Sequence, residues 1–180
     1  MTYEVLKSEQ RFSGKIISVR TDTVRMPDGS SAPRDVVEHP GAVGAVAIDA
    51  DRNVLLIKQY RHAVGAALWE VPAGIRDVDG EDPAETAKRE LHEETGYVAE
   101  TVEPLCSVYA TPGGSDERYE VYLASGVTEA AERPDVVDEE QDLEVRWVPL
   151  RDACEWVFDG TITNAMCALG VLAAARRLGI

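Results

Sequence analysis

The chain has 180 residues, with 33 acidic against 18 basic side chains and a formal charge of −15. That length suffices for a domain with a sizeable core, and the charge argues against a nucleic-acid partner, because phosphate contacts demand clustered Lys and Arg. The opening MTYEVLKSEQ has no apolar leader region and no apolar run approaches a membrane span, so a cytoplasmic protein is expected. Cys106, Cys154 and Cys167, odd in number and without metal-site spacing, read as buried reduced thiols.

In chain order, residues 12–25 (FSGKIISVRTDTVR) are rich in β-branched side chains and run into Pro27-Asp28-Gly29, a turn signal. Residues 34–38 (RDVVE) return as a strand. The pattern predicts a small antiparallel region over residues 1–40, ahead of a main domain over 41–180. There, residues 43–48 (VGAVAI) and 54–59 (VLLIKQ) flank the polar segment 49–53 and predict a hairpin. Both runs are uniformly apolar, as expected of central strands covered on both faces. Arg61 ends the second run, and LWEVPAG (68–74) follows.

The organising stretch is Gly74–Tyr97, GIRDVDGEDPAETAKRELHEETGY. Its spacing predicts a loop entering a helix. Asp82 suits the N-cap, Pro83 the first helical position, Glu85 the third position of a capping box, and Gly96 the stop. Ala84, Ala87 and Leu91 form a stripe for burial. Glu90 and Glu94 lie about 40° apart on one flank, with Glu93 beside them. Like charges at this spacing repel, so the bland alternative is a solvated acidic face. Arg89 stands eight residues after Glu81 and four after Glu85, placed to tie loop to helix. Gathered carboxylates beside a tight loop are what Mg²⁺ or Mn²⁺ needs when it also holds substrate phosphates.

Residues 102–109 and 118–124 read as strands around ATPGGSDE, and the acidic, proline-interrupted segment 129–142 reads as a solvated loop leading into LEVRWVPL. A short helix is expected from Leu150 to Phe158. A longer one follows from Asn164 to Arg177, with Met166, Leu169, Val171, Leu172 and Ala175 as core.

The Gly74–Tyr97 stretch resembles the Nudix box. Glu81, Arg89, Glu90, Leu91, Glu93, Glu94 and Gly96 match its order and spacing. Two positions depart from it: six residues rather than five separate Gly74 from Glu81, and Tyr97 stands at the final aliphatic position. QYR (59–61), WEVPAG (69–74) and Pro112-Gly113-any-Ser115-any-Glu117 are similar to the ADP-ribose pyrophosphatase branch. The resemblance implies an α+β fold, an α/β/α sandwich with a mixed central sheet and a small N-terminal antiparallel sheet that contacts a second subunit in a homodimer.

It also implies Mg²⁺-dependent hydrolysis of ADP-ribose to AMP and ribose 5-phosphate. Glu90, Glu94 and the Ala73 carbonyl would hold metal, helped by Glu93, and Gly74, Glu81, Arg89 and Gly96 would hold the scaffold. Glu139, or adjacent Glu140, would be the general base. Arg61 would bind a phosphate, and Glu70 would support the loop or touch the ligand. Pro112, Gly113, Ser115 and Glu117 would form a rigid loop beside the substrate. Phe12 and Arg34 are the nearest matches to contacts with the base, core packing being the plainer reading of Phe12. The alternatives are a GDP-mannose or other sugar-nucleotide pyrophosphatase and a non-catalytic nucleotide sensor.

Overall fold

The computed structural model describes residues 3–78, 80–132 and 143–180. The chain forms two compact units, Met1–Gly41 with Val108–Arg118, and Ala42–Ser107 with Tyr119–Ile180.

In the first unit, β1 (Glu4–Ser13), β2 (Ser18–Arg25) and β3 (Ser31–Glu38) make an antiparallel sheet in that order. The expected hairpin is β2 with β3, in register from Ser18↔Glu38 to Arg25↔Ser31, and Gly29 takes the positive φ of 86° at its turn. Strand β1 adds a partner for β2 that the hydrophobic pattern does not announce. All but one of its residues are exposed, so main-chain pairing rather than burial holds it. A polar network stands where a core would be: Ser8 Oγ donates to Asp22 at 2.7 Å, Arg20 donates to the same carboxylate, and Arg20 and Ser18 both donate to Glu38. Phe12, 54% exposed, is not core.

The second unit holds the hydrophobic core in layers. A mixed sheet runs β7 (Ala73–Ile75), β4 (Ala42–Ala47), β10 (Arg118–Ser125), β9 (Thr101–Tyr109), with β10 parallel and β7 antiparallel to β4. A second sheet runs β12 (Glu144–Pro149), β5 (Asn53–Arg61), β6 (Ala66–Glu70). A short ladder pairs β8 (Tyr97–Val98) with β11 (Thr128–Glu129).

Strands β4 and β5 are central in their sheets, as expected, but they are not a hairpin. One bridge, Ile48↔Val54, joins them at the Asp49 turn before they part into different sheets. Asp49 accepts from the N–H groups of Asp51 and Asn53, which tightens the turn while leaving the strands free to diverge.

Alternation along β4 feeds both faces. Val43, Ala45 and Ala47 pack with Ala87 and Leu91 of helix α1 (Pro83–Thr95), whereas Val46 packs with Met166, Val171 and Ala174 of helix α3 (Ala165–Leu178). Gly170 permits that second contact, since a Cβ there would come 2.8 Å from Val46 Cγ2. Helix α2 (Leu150–Phe158) closes the same side through Leu150 and Ala153. Of the cysteines, only Cys167 is fully buried, and burial pushes its thiol up to about 12; Cys106 and Cys154 are partly covered, and all three are free thiols. Among the described residues, no helix is long and apolar enough to cross a membrane.

Candidate active site

Helix α1 begins as its sequence dictates. Asp82 caps it by accepting from Ala84 N–H at 2.8 Å, Pro83 opens it, and Gly96 ends it in the left-handed region at φ 74°. The reciprocal half of the expected capping box is replaced: the Glu85 carboxylate accepts from Lys88 at 2.6 Å. Ala87 and Leu91 are fully buried, and burial of Leu91 alone contributes roughly 2 kcal/mol, enough to fix which way the acidic flank points.

That flank meets β7. The Ala73 N–H donates to Glu94 Oε2 at 2.9 Å, and the Glu90 carboxylate lies against the next residue, Gly74, where an added Cβ would come 2.1 Å from Oε1. Two glutamates one turn apart on the helix therefore flank the Ala73–Gly74 segment. The glycine leaves room for the Glu90 carboxylate at this position, and its backbone angle does not call for it.

Arg89 ties this arrangement together. Its Nε and Nη2 each lie 3.2 Å from the two oxygens of Glu81, while Nη1 reaches Glu90 at 2.7 Å and Glu93 at 2.8 Å. The fork joins the loop before the helix to the acids upon it. Thr86, 1% exposed, adds a hydrogen bond to Glu81 at 2.8 Å that the sequence reading missed. Its signal was its place one turn into the helix, five residues after the glutamate. Arg89, then Thr86, holds Glu81 below the ordinary carboxylate range, and Glu81 in turn raises Arg89. Glu90 moves the other way: burial raises it, the charges of Glu93 and Asp77 add to that, and Arg89 opposes.

A second cluster lies on the ladder between β5 and β6. Arg61 donates to Glu70 through Nε at 2.9 Å and Nη2 at 2.7 Å. The Glu70 side chain is 3% exposed and that of Arg61 44%, so a buried carboxylate aims a guanidinium that solutes can reach.

The other expected site residues fall in the first unit. Pro112, Gly113 and Ser115 belong to a turn laid on β3, where the Val37 N–H donates to Gly114 O at 2.8 Å and Ser115 bridges Val37. Glu117 donates its N–H to Ser115 Oγ at 3.1 Å, and its carboxylate lies 3.6 Å from His39 Nδ1. A Cβ on Gly113 would meet nothing within 4 Å, so the fold of this unit does not itself demand glycine there. Arg34 is exposed and donates to Pro33 O at 2.8 Å. Glu139 and Glu140 lie outside the described residues.

Residues 38–165 match the family model described as the NUDIX domain. The chain belongs to the Nudix family of hydrolases. Residues 3–37 of this Nudix protein match a second model, the nucleoside diphosphate sugar hydrolase N-terminal domain. It is 46% identical over 171 residues to the ADP-ribose pyrophosphatase of Mycobacterium tuberculosis, covering 95% of this chain and 82% of that one. It is 35% identical over 168 residues to the ADP-ribose pyrophosphatase of Bacillus subtilis, covering 93% and 90%. A crystal structure of an ADP compounds hydrolase shares its fold with a TM-score of 0.85 at 20% identity, covering 99% of this chain and 95% of that one.

Nudix hydrolases generally use divalent metal ions. Among the described residues, no three His, Cys, Asp or Glu side chains converge into a ready-made cage. The donors still suit a hard cation. Glu90 and Glu94 flank one segment, where Arg89 donates to the Glu90 carboxylate and Ala73 N–H to that of Glu94, and both present hard oxygen donors. Mg²⁺ typically takes one or two carboxylates and completes its shell with water and substrate phosphates, so an incomplete protein cage fits that chemistry.

Proposed function

We propose that this Nudix hydrolase cleaves the pyrophosphate of ADP-ribose to AMP and ribose 5-phosphate. The observation that carries the reading is the 46% identity, over 95% of the chain, to a protein named ADP-ribose pyrophosphatase. In the reaction water adds to one phosphorus, the bridging P–O bond breaks, and the departing phosphate carries away the bond's electron pair. The water's proton passes to a carboxylate, for which Glu139 or its neighbour Glu140 is the candidate.

Glu90, Glu94 and the Ala73 carbonyl would hold Mg²⁺, with Mn²⁺ as a substitute, and Glu93 would assist. The bound cation would neutralise phosphate charge and lower the pKa of water. Glu81 and Arg89 hold the acids in place, as Gly74 and Gly96 shape the turns around them. Arg61, aimed by Glu70, binds a phosphate of the substrate, and a pyrophosphate held this way is oriented for attack. Pro112, Gly113, Ser115 and Glu117 border the substrate, and Phe12 and Arg34 are candidates for the nucleobase. Residues 1–40 are the contact for a second copy, giving a cytoplasmic homodimer with no nucleic-acid or membrane partner.

The match of residues 3–37 to a nucleoside diphosphate sugar hydrolase model favours one second reading of the same chemistry, a GDP-mannose or other sugar-nucleotide pyrophosphatase. Chromatography of products after incubation with Mg²⁺ and each substrate separates them. AMP released from ADP-ribose far faster than GMP from GDP-mannose is expected; the reverse order would overturn the first reading in favour of the second.

A further inference from the structure

Tyr97 stands where the Nudix box carries an aliphatic residue. An aliphatic side chain would suffice to fill the apolar cluster beneath α1, where Tyr97 packs with Ala99, Val102 and Val127. The tyrosine reaches further in two directions. Its ring meets Trp147 of β12 edge-on, with centroids 5.4 Å apart and planes at 89°, and its hydroxyl donates to Glu129 Oε1 of β11 at 3.3 Å. Glu129 is also its direct partner across the ladder between β8 and β11. The end of α1 holds the same piece of chain twice more: Ala130 N–H donates to Gly96 O at 2.9 Å, and His92 Nε2 lies 3.2 Å from Glu132 O.

In sequence, Glu129 precedes and Trp147 follows the stretch that carries Glu139 and Glu140. Tyr97 thus touches both ends of that stretch while standing three residues beyond Glu94 of the acidic flank. A tether whose ends are fixed samples fewer arrangements than one whose ends drift, and a base acts only while it is within reach of its proton. An edge-to-face ring pair adds attraction beyond area burial and favours one orientation, which an aliphatic side chain cannot supply. We infer that Tyr97 is a positioning residue: acting through Trp147 and Glu129, it fixes both ends of the stretch bearing the general base relative to the Nudix helix. The inference rests on the assignment of Glu139 or Glu140 as base in the proposed function and adds to it an anchor for that base.

The test is a double-mutant cycle on the full chain, with kcat and KM measured on ADP-ribose with Mg²⁺ and each variant melted without ligand. Tyr97→Leu restores the aliphatic residue of the family and removes both contacts, Tyr97→Phe keeps the ring pair alone, and Glu139→Gln/Glu140→Gln removes the candidate base. Tyr97→Leu should lower kcat about tenfold with KM changed by less than about twofold, and Tyr97→Phe should recover most of that loss. In the Glu139→Gln/Glu140→Gln background, Tyr97→Leu should lower kcat by less than about twofold, because no base is left to position. Trp147→Leu, which removes the ring pair from the other side, should show the same dependence on the background. Equal losses in both backgrounds, or a loss that only follows the unfolded fraction at the assay temperature, would assign Tyr97 to packing and overturn the inference, as would a wild-type kcat in Tyr97→Leu. Full activity in Glu139→Gln/Glu140→Gln would instead remove the base from the proposed function, and the inference with it. If wild type prefers another sugar nucleotide, the substrate reading fails, and the cycle run on that substrate decides the role of Tyr97.

Discussion

The Glu90 carboxylate lies so close to Gly74 that a Cβ on the glycine would come 2.1 Å from Oε1. The atom in the way is the end of a flexible side chain, so Gly74→Ala displaces the carboxylate more readily than the helix. Stability should fall by less than about 1 kcal/mol, whereas displacing a reactive-site group by an ångström costs on the order of a hundredfold in rate. Urea unfolding beside turnover measures both. Equal losses of folding and activity would contradict the division.

Glu94→Gln separates fold from chemistry in another way. An amide oxygen at that position still accepts from Ala73 N–H, so the variant should melt within a few degrees of wild type. Loss of the charge should lower Mg²⁺-dependent turnover by about a hundredfold or more and abolish any rise in melting temperature on adding Mg²⁺. Unchanged activity would sink the metal assignment.

The fork between Arg61 and Glu70 predicts a change in KM more than in kcat. In Glu70→Gln the neutral amide offers only one acceptor, and the guanidinium loses its fixed aim. KM should rise about tenfold with kcat changed little, and Arg61→Ala should do the same. If Arg61 binds the phosphate as proposed, the double variant should be no worse than either single one, because both substitutions would remove the same contact.

Acid should loosen the first unit. Ser8, then Arg20, holds Asp22 below the ordinary carboxylate range, and Ser18, then Arg20, does so for Glu38. A carboxylate depressed in the folded state adds stability above its unfolded pKa and loses it as pH falls through the folded value. Amide exchange across β1–β3, corrected for its intrinsic pH dependence, should therefore accelerate as pH drops below about 4. Asp22→Asn should remove much of that pH dependence.

Helix α1 and its acids were legible because every relation that builds them is local. Cap, stop, apolar stripe and acidic flank follow from a period of 3.6 residues, and the fork from Arg89 to Glu81 spans eight positions of one loop and helix. Helices α2 and α3, which bury residues at helical spacing, and the central strands β4 and β5, whose near-continuous burial writes itself as apolar runs, were equally plain.

Strand β1 was not legible, because it buries almost nothing and leaves no periodic trace. The parting of β4 from β5 was not legible either, because one turn sequence serves strands that stay paired and strands that diverge.

The sequence by itself therefore determined the family, the acidic helix and which residues carry charge. Only the tertiary structure decided that Glu90 rests on Gly74, that Ala73 donates to Glu94, and that Glu70 aims Arg61. Those contacts join separate elements, and their geometry is set by sheet register and by the packing of Leu91 and Ala87 beneath the helix. No spacing along a single segment records such terms, because each is the joint outcome of pairings made far apart in the chain.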